Sequence, residues 1–221
     1  MEIREKKVTK IMDRIGEAVA NEDIGVFESG HGYEHHYRVA KDALRIARKD
    51  GVPVDENVLL VASCTHDFEQ RGGVEPDELR EFFLSDLELE EKFVDKVIDA
   101  VSNHSLDKIP TTVEGEVVWV SDKANYPDPE RFKEVVRYIE KNYDSENRPE
   151  EINRFYEGLA EKWVRGTVEI PNHPLMKKYP ESMRLFERRL KETLKYIRGD
   201  GQEVFKDWLV LYNQKHFVEI G

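Results

Sequence analysis

Cysteine is nearly absent: Cys64 is the single one, so no disulfide can form within the chain and the fold must stand on packing. That usage fits a reducing compartment. Long apolar runs are missing too. Stretches such as Val58–Ala62 are far too short to span a bilayer, which takes about 20 apolar residues. The opening MEIREKK is charged and no apolar stretch follows it, so no secretion signal is expected, and a cytoplasmic location is. Positive charge is in deficit: 34 Lys and Arg stand against 46 Asp and Glu, a net charge of −12. A protein that binds nucleic-acid polymers needs a basic footprint, so that class is not expected, nor is a membrane partner. A small anion remains compatible, because a metal and a few local cations can reverse the field inside one pocket. Internal repeats and low-complexity segments are also lacking. What is present is 39% apolar and 36% charged residues over 221 positions, enough for one sizeable core.

The apolar pattern is helical almost throughout. Ile11, Ile15 and Val19 predict a first helix over about 2–20. After the Gly-punctuated loop Glu28–Gly32, a second helix is expected from Tyr33, with His35, Val39, Ala43 and Ile46 on one face and Gly51-Val-Pro53 ending it. Asp55 should start a buried helix that runs to His66. Pro76 opens the next, and Leu89–His104 reads as another, with Phe93, Val97, Ala100 and Val101 on one side. Val117–Val120 is rich in β-branched residues, yet no partner strand lies near it, and a short buried helix is the expectation. Helical patterning then covers 132–139 and Ile152–Val164, a loop is expected over Gly166–Pro174, and helices follow over Glu181–Arg198 and Val204–Tyr212. The fold class is therefore all-α, with helices joined by short loops.

Five of the seven histidines, at 31, 35, 36, 66 and 104, fall in roughly the first half of the chain. A lone histidine is most often structural, but their neighbourhood points elsewhere. His66-Asp67 follows the apolar run Val61-Ala-Ser-Cys-Thr65, and a polar pair at the end of a buried helix is costly unless something pairs with it. Side chains about 100° apart on a helix can both reach an ion lying between them. Imidazole and carboxylate together suit a divalent transition metal or Mg²⁺ better than a thiolate zinc site would. His35 shares the inward face of Val39 and Ala43, and Asp122 follows the apolar Val117–Val120. His36 falls off that face and is expected to be bland; His173 and His216 carry no assigned role.

The order His … His-Asp … Asp resembles the HD superfamily of metal-dependent phosphohydrolases. His31-Gly-Tyr-Glu-His35-His-Tyr-Arg38-Val39 resembles its H-x-x-x-H-x-x-R-V opening, Thr65-His66-Asp67 its central doublet, Ser102-Asn-His104 its following histidine, and Val120-Ser-Asp122-Lys-Ala124 its final aspartate. The match covers about residues 29–126. The resemblance implies one domain over 1–221, an HD-type helical bundle with further C-terminal helices over about 127–221. That second half could complete the bundle, shape the pocket or form a homodimer contact. Also implied is one divalent ion (Mn, Co, Ni, Fe, Zn or Mg) held by His35, His66, Asp67 and Asp122, which activates water and polarises a phosphoryl oxygen. Arg38, Lys123 and His31 would then meet the phosphate, and Asp67 and His104 would serve catalysis. Glu69 is the only carboxylate at close range after the doublet, in a register that leaves its role open. The implied reaction is hydrolysis of a phosphomonoester or phosphoanhydride, with a nucleotide as the small phosphorylated substrate. A phosphodiesterase acting on a cyclic or bridged nucleotide, and a regulatory module that binds a nucleotide without turnover, are the alternatives.

Overall fold

The computed structural model describes residues 13–14, 33–68, 74–102, 108–131, 133–134 and 149–199. The elements are α1 Tyr33–Lys49, α2 Glu56–Thr65, α3 Pro76–Glu81 running into a π-helical turn Phe82–Asp86, α4 Glu91–Val101, α5 Val113–Ala124, α6 Pro149–Asn172, α7 Pro174–Lys178 and α8 Pro180–Gly199. No strand occurs among the described residues, so the fold is all-α. The helices expected over 2–20 and Val204–Tyr212 lie outside the described residues, apart from 13–14, as does most of 132–139. Two compact units divide the chain, Met1–Asp122 and Lys123–Gly221, and their border falls inside α5. No helix among the described residues is long and apolar enough to cross a membrane.

In the first unit, α1 packs on α2 and α2 on α4. Helix α1 buries Val39, Ala40, Ala43, Ile46 and Ala47. It stops where Gly51 takes a φ of +67°, a left-handed conformation that glycine adopts at no steric cost. There the Val52 amide donates back to the Ala47 carbonyl at 2.8 Å, the long bond of a Schellman closure. Asp55 then caps α2, its Oδ1 accepting from the amides of Asn57 at 3.1 Å and Val58 at 3.4 Å. Helix α2 is buried nearly all round, the condition under which a helix needs no polar face.

Val117–Val120 is helical, as expected, within the longer α5. Its four residues are fully buried, so tertiary packing overrides their β-propensity. Two contacts fix this helix in the first unit. The Asp55 amide donates to Glu114 Oε1 at 2.9 Å. A Cβ added to Gly115 would lie 3.0 Å from the Ala100 carbonyl, so glycine permits α4 and α5 to come this close. Helix α4 ends at Val101 with Ser102 in extended backbone, earlier than the His104 boundary read from the sequence.

The second unit corrects one expectation. Gly166–Pro174 is not a loop: α6 continues through Gly166 and Pro171 to Asn172. Gly166 is tolerated because the Tyr126 ring occupies the space that a side chain would need, while the Tyr126 hydroxyl donates to the Lys162 carbonyl at 2.7 Å. Pro171 removes an amide only in the final turn, and burial of Thr167 and Ile170 holds the extension in place. The His173 amide closes that turn on the Ile170 carbonyl at 3.1 Å. Its imidazole Nδ1 accepts from the Leu175 amide at 3.3 Å and so caps α7. On α8, the buried Arg189 donates to Asp128 Oδ2 at 3.0 Å and to the Ala124 carbonyl at 3.2 Å.

Candidate metal centre

Three helices of the first unit bring their polar residues to one place. Helix α1 contributes His35 and His36 from its first turn, and α5 contributes Asp122 from its last. His66 and Asp67 follow the last residue of α2, where the chain turns and the Phe68 amide donates to the Thr65 carbonyl at 3.0 Å. All five residues are buried, the most exposed being Asp122 at 7%. Fully buried Phe68 packs T-shaped with the His36 ring at 5.8 Å between centroids, so an apolar wall borders the cluster there.

The separations within the cluster are specific. His35 Nε2 lies 3.3 Å from Asp122 Oδ1 and 3.8 Å from Asp67 Oδ2. His66 Nε2 lies 3.4 Å from Asp67 Oδ2 and 3.7 Å from Asp122 Oδ1. His36 Nε2 lies 3.7 Å from Asp67 Oδ2. These distances are longer than good N–H···O hydrogen bonds. The two shortest, 3.3 and 3.4 Å, match two donors around one ion: with bonds of about 2.1 Å, adjacent ligands sit about 3.0 Å apart at a right angle and about 3.4 Å apart in a tetrahedron. The separations of 3.7 and 3.8 Å are only slightly wider. One donor atom each from His35, His66 and Asp122 lie within 4.8 Å of one another, and so do those of His36, His66 and Asp67. Buried His and Asp groups of this kind can hold a metal ion.

The tautomer of His66 agrees with that use. Its Nδ1 lies 2.8 Å from the Ser63 carbonyl, which can only accept. The proton therefore resides on Nδ1, and Nε2 turns its lone pair toward the carboxylates, the arrangement typical of a metal-ligating imidazole. Burial pushes the pKa of His66 down, but the charges of Asp67 and Asp122 outweigh it, and the net direction is upward. The two carboxylates thus favour positive charge beside His66, a setting in which a cation can be held. His36 goes the other way, its pKa lowered chiefly by burial although Asp67 opposes the shift. Cys64, one turn from Phe68 on the same run, is a buried thiol pushed up to about 12 by that burial, and it belongs to neither donor group.

Of the residues singled out in the sequence, His35, His66, Asp67 and Asp122 are brought together. Arg38 is half-buried on α1, one turn beyond His35, and Lys123 is half-buried directly after Asp122, in the second unit. His31, Glu69 and His104 lie outside the described residues. The reading of His36 as a bland, outward residue needs correction, since it is fully buried within the cluster. The signal was in the sequence: Ala40 and Ala47 continue a second stripe from His36 beside that of His35, Val39, Ala43 and Ile46. Small alanines made that stripe easy to discount, and α1 buries both.

No family model matches the chain, and no curated protein does. Among solved structures, the chain is similar to Bacillus subtilis YpgQ, crystallised in complex with ADP, at a TM-score of 0.54 and 21% sequence identity. The likeness covers 89% of this chain and 97% of that one, and at such identity what the two share is the all-α fold.

Proposed function

We propose that this chain is a metal-dependent phosphohydrolase of the HD type, cleaving a phosphomonoester or phosphoanhydride of a nucleotide. The observation that carries this reading is the convergence of His35, His66 and Asp122, with Asp67 beside them, at ligand-to-ligand spacing. The order of those residues along the chain supports it, and so does the shared fold with a protein crystallised with ADP. When bound, a divalent ion supplies a Lewis acid and acidifies water. His35 and His66 would hold it, with Asp122 and Asp67 neutralising its charge. Arg38, half-buried one turn from His35, offers a guanidinium fork suited to non-bridging phosphate oxygens. Mn²⁺, Co²⁺, Ni²⁺, Fe²⁺ and Zn²⁺ suit two imidazoles better than Mg²⁺ does.

The test is metal analysis of the purified protein, then a hydrolysis screen over nucleoside mono-, di- and triphosphates with Mn²⁺, Co²⁺, Ni²⁺ and Mg²⁺. Turnover of a nitrophenyl phosphate without turnover of the bis ester is the expected pattern. Asp67→Ala should abolish turnover and sharply weaken metal binding, because it removes one of the two carboxylates that face the imidazoles. Full metal content and full activity in Asp67→Ala would refute the assignment, and preference for cyclic or bridged nucleotides would make the enzyme a phosphodiesterase. Tight nucleotide binding with no hydrolysis under any metal would make it a sensor.

A further inference from the structure

We propose that His36 is itself a metal ligand, forming with His66 and Asp67 a second cation position that overlaps the first and shares His66 with it. The inference rests on the metal-binding reading above. The cluster holds two triads of donors, His35 with His66 and Asp122, and His36 with His66 and Asp67, each compact enough to surround one ion. Asp67 Oδ2 is where the three imidazoles meet: His36 Nε2 lies 3.7 Å from it, against 3.8 Å for His35 and 3.4 Å for His66. His36 is thus as well placed toward Asp67 as His35 is, and it carries the same burial. Its Nε2 faces the interior of the cluster while Phe68 covers another side of the ring.

The shared residue limits occupancy. His66 donates its Nδ1 proton to the Ser63 carbonyl at 2.8 Å, which leaves one lone pair, on Nε2, and one lone pair binds one ion. The two positions therefore cannot both be filled through His66. The chain binds a single ion that has two overlapping seats, one completed by His35 and Asp122 and the other by His36 and Asp67. Each seat offers two imidazole nitrogens and one carboxylate, so both select transition metals over Mg²⁺.

The deciding experiment uses the full chain with ¹⁵N-labelled histidine, titrated with ¹¹³Cd²⁺ and followed by ¹⁵N NMR. Wild type should bind one Cd²⁺ per chain. In Asp122→Ala, which removes a ligand found only in the first seat, the ¹¹³Cd splitting should appear on Nε2 of both His36 and His66. The affinity of that variant should fall at least tenfold further on adding His36→Gln. If Asp122→Ala does not fold, His35→Gln removes the other ligand private to the first seat and carries the same test. Splitting on His66 with none on His36 would overturn the proposal and leave the metal-binding reading intact. So would complete loss of Cd²⁺ binding in the first-seat variant, because a second seat that holds nothing alone is no seat. A wild-type chain that binds no Cd²⁺, Mn²⁺ or Co²⁺ would overturn both.

Discussion

A divalent ion should stabilise this protein against heat by an amount that its concentration sets. The donors come from α1, α5 and the end of α2, which meet only when the chain is folded, so the ion binds the native state and not the unfolded one. Linkage then gives a stabilisation of RT ln(1 + [L]/Kd), about 2.7 kcal/mol when free ion stands at about 100 times Kd. A chain of this size gains about 2–4 °C in Tm per kcal/mol. The expected rise is therefore about 5–11 °C, with about 3–6 °C more for each further tenfold of ion. Differential scanning fluorimetry over a Mn²⁺ series, against a chelator-treated control, measures it. His66→Ala should abolish the response, because His66 belongs to both donor triads. The response should also shrink as pH falls, since Asp67 and Asp122 raise the His66 pKa and a proton then competes with the ion. An equal rise in His66→Ala, or none in wild type under conditions where metal analysis finds the ion bound, would refute the reasoning.

Further outcomes follow from the second unit and from Cys64. Arg189→Met strands the buried carboxylate of Asp128 and should cost about 3–5 kcal/mol in urea unfolding. Adding Asp128→Asn should recover part of that loss, and an unchanged midpoint for Arg189→Met would contradict the pairing. The His173 cap should make stability fall in acid. Its pKa is lowered by burial and by the Lys123 charge, so its contribution is whole above about 6.5 and is lost as pH drops through the lower folded value. His173→Asn, a cap that does not titrate, should narrow the stability difference between pH 7 and pH 5 by up to about 2 kcal/mol. An unaltered pH dependence would remove the cap from the account. Cys64, fully buried with its thiol pushed up to about 12, should react with a disulfide reagent only after unfolding, and rapid labelling of the native protein would contradict its burial.

Much of the fold was legible because helix signals here are local. Gly51 ends α1 and Asp55 starts α2 where turn and cap chemistry place them. The apolar run before His66 marked a buried helix, and the polar pair after it is buried as that run implied. What escaped the sequence depends on contacts made from elsewhere. Gly166 and Pro171 look like loop punctuation until the Tyr126 ring lies against the glycine and the proline is found to fall in the last turn. The burial of His36 turned on how wide a face α1 buries, and a stripe of alanines states that width faintly. The clamp of Arg189 on Asp128 links residues far apart in sequence with no periodic trace.

One bond at the centre has a consequence for how the protein tolerates change. His66 is oriented by the main-chain carbonyl of Ser63, one helical turn earlier, and not by another side chain. Oxygens of that kind survive any substitution at their own position, so no exchange of the residue at 63 can take the acceptor away. Position 63 answers only to volume, because its side chain is fully buried, and Ser63→Ala should leave the ring of His66 aimed as before. The imidazole is thus held by the helix that carries it. A mutational scan would find position 63 permissive toward small residues beside an intolerant 66, a contrast produced by backbone geometry alone.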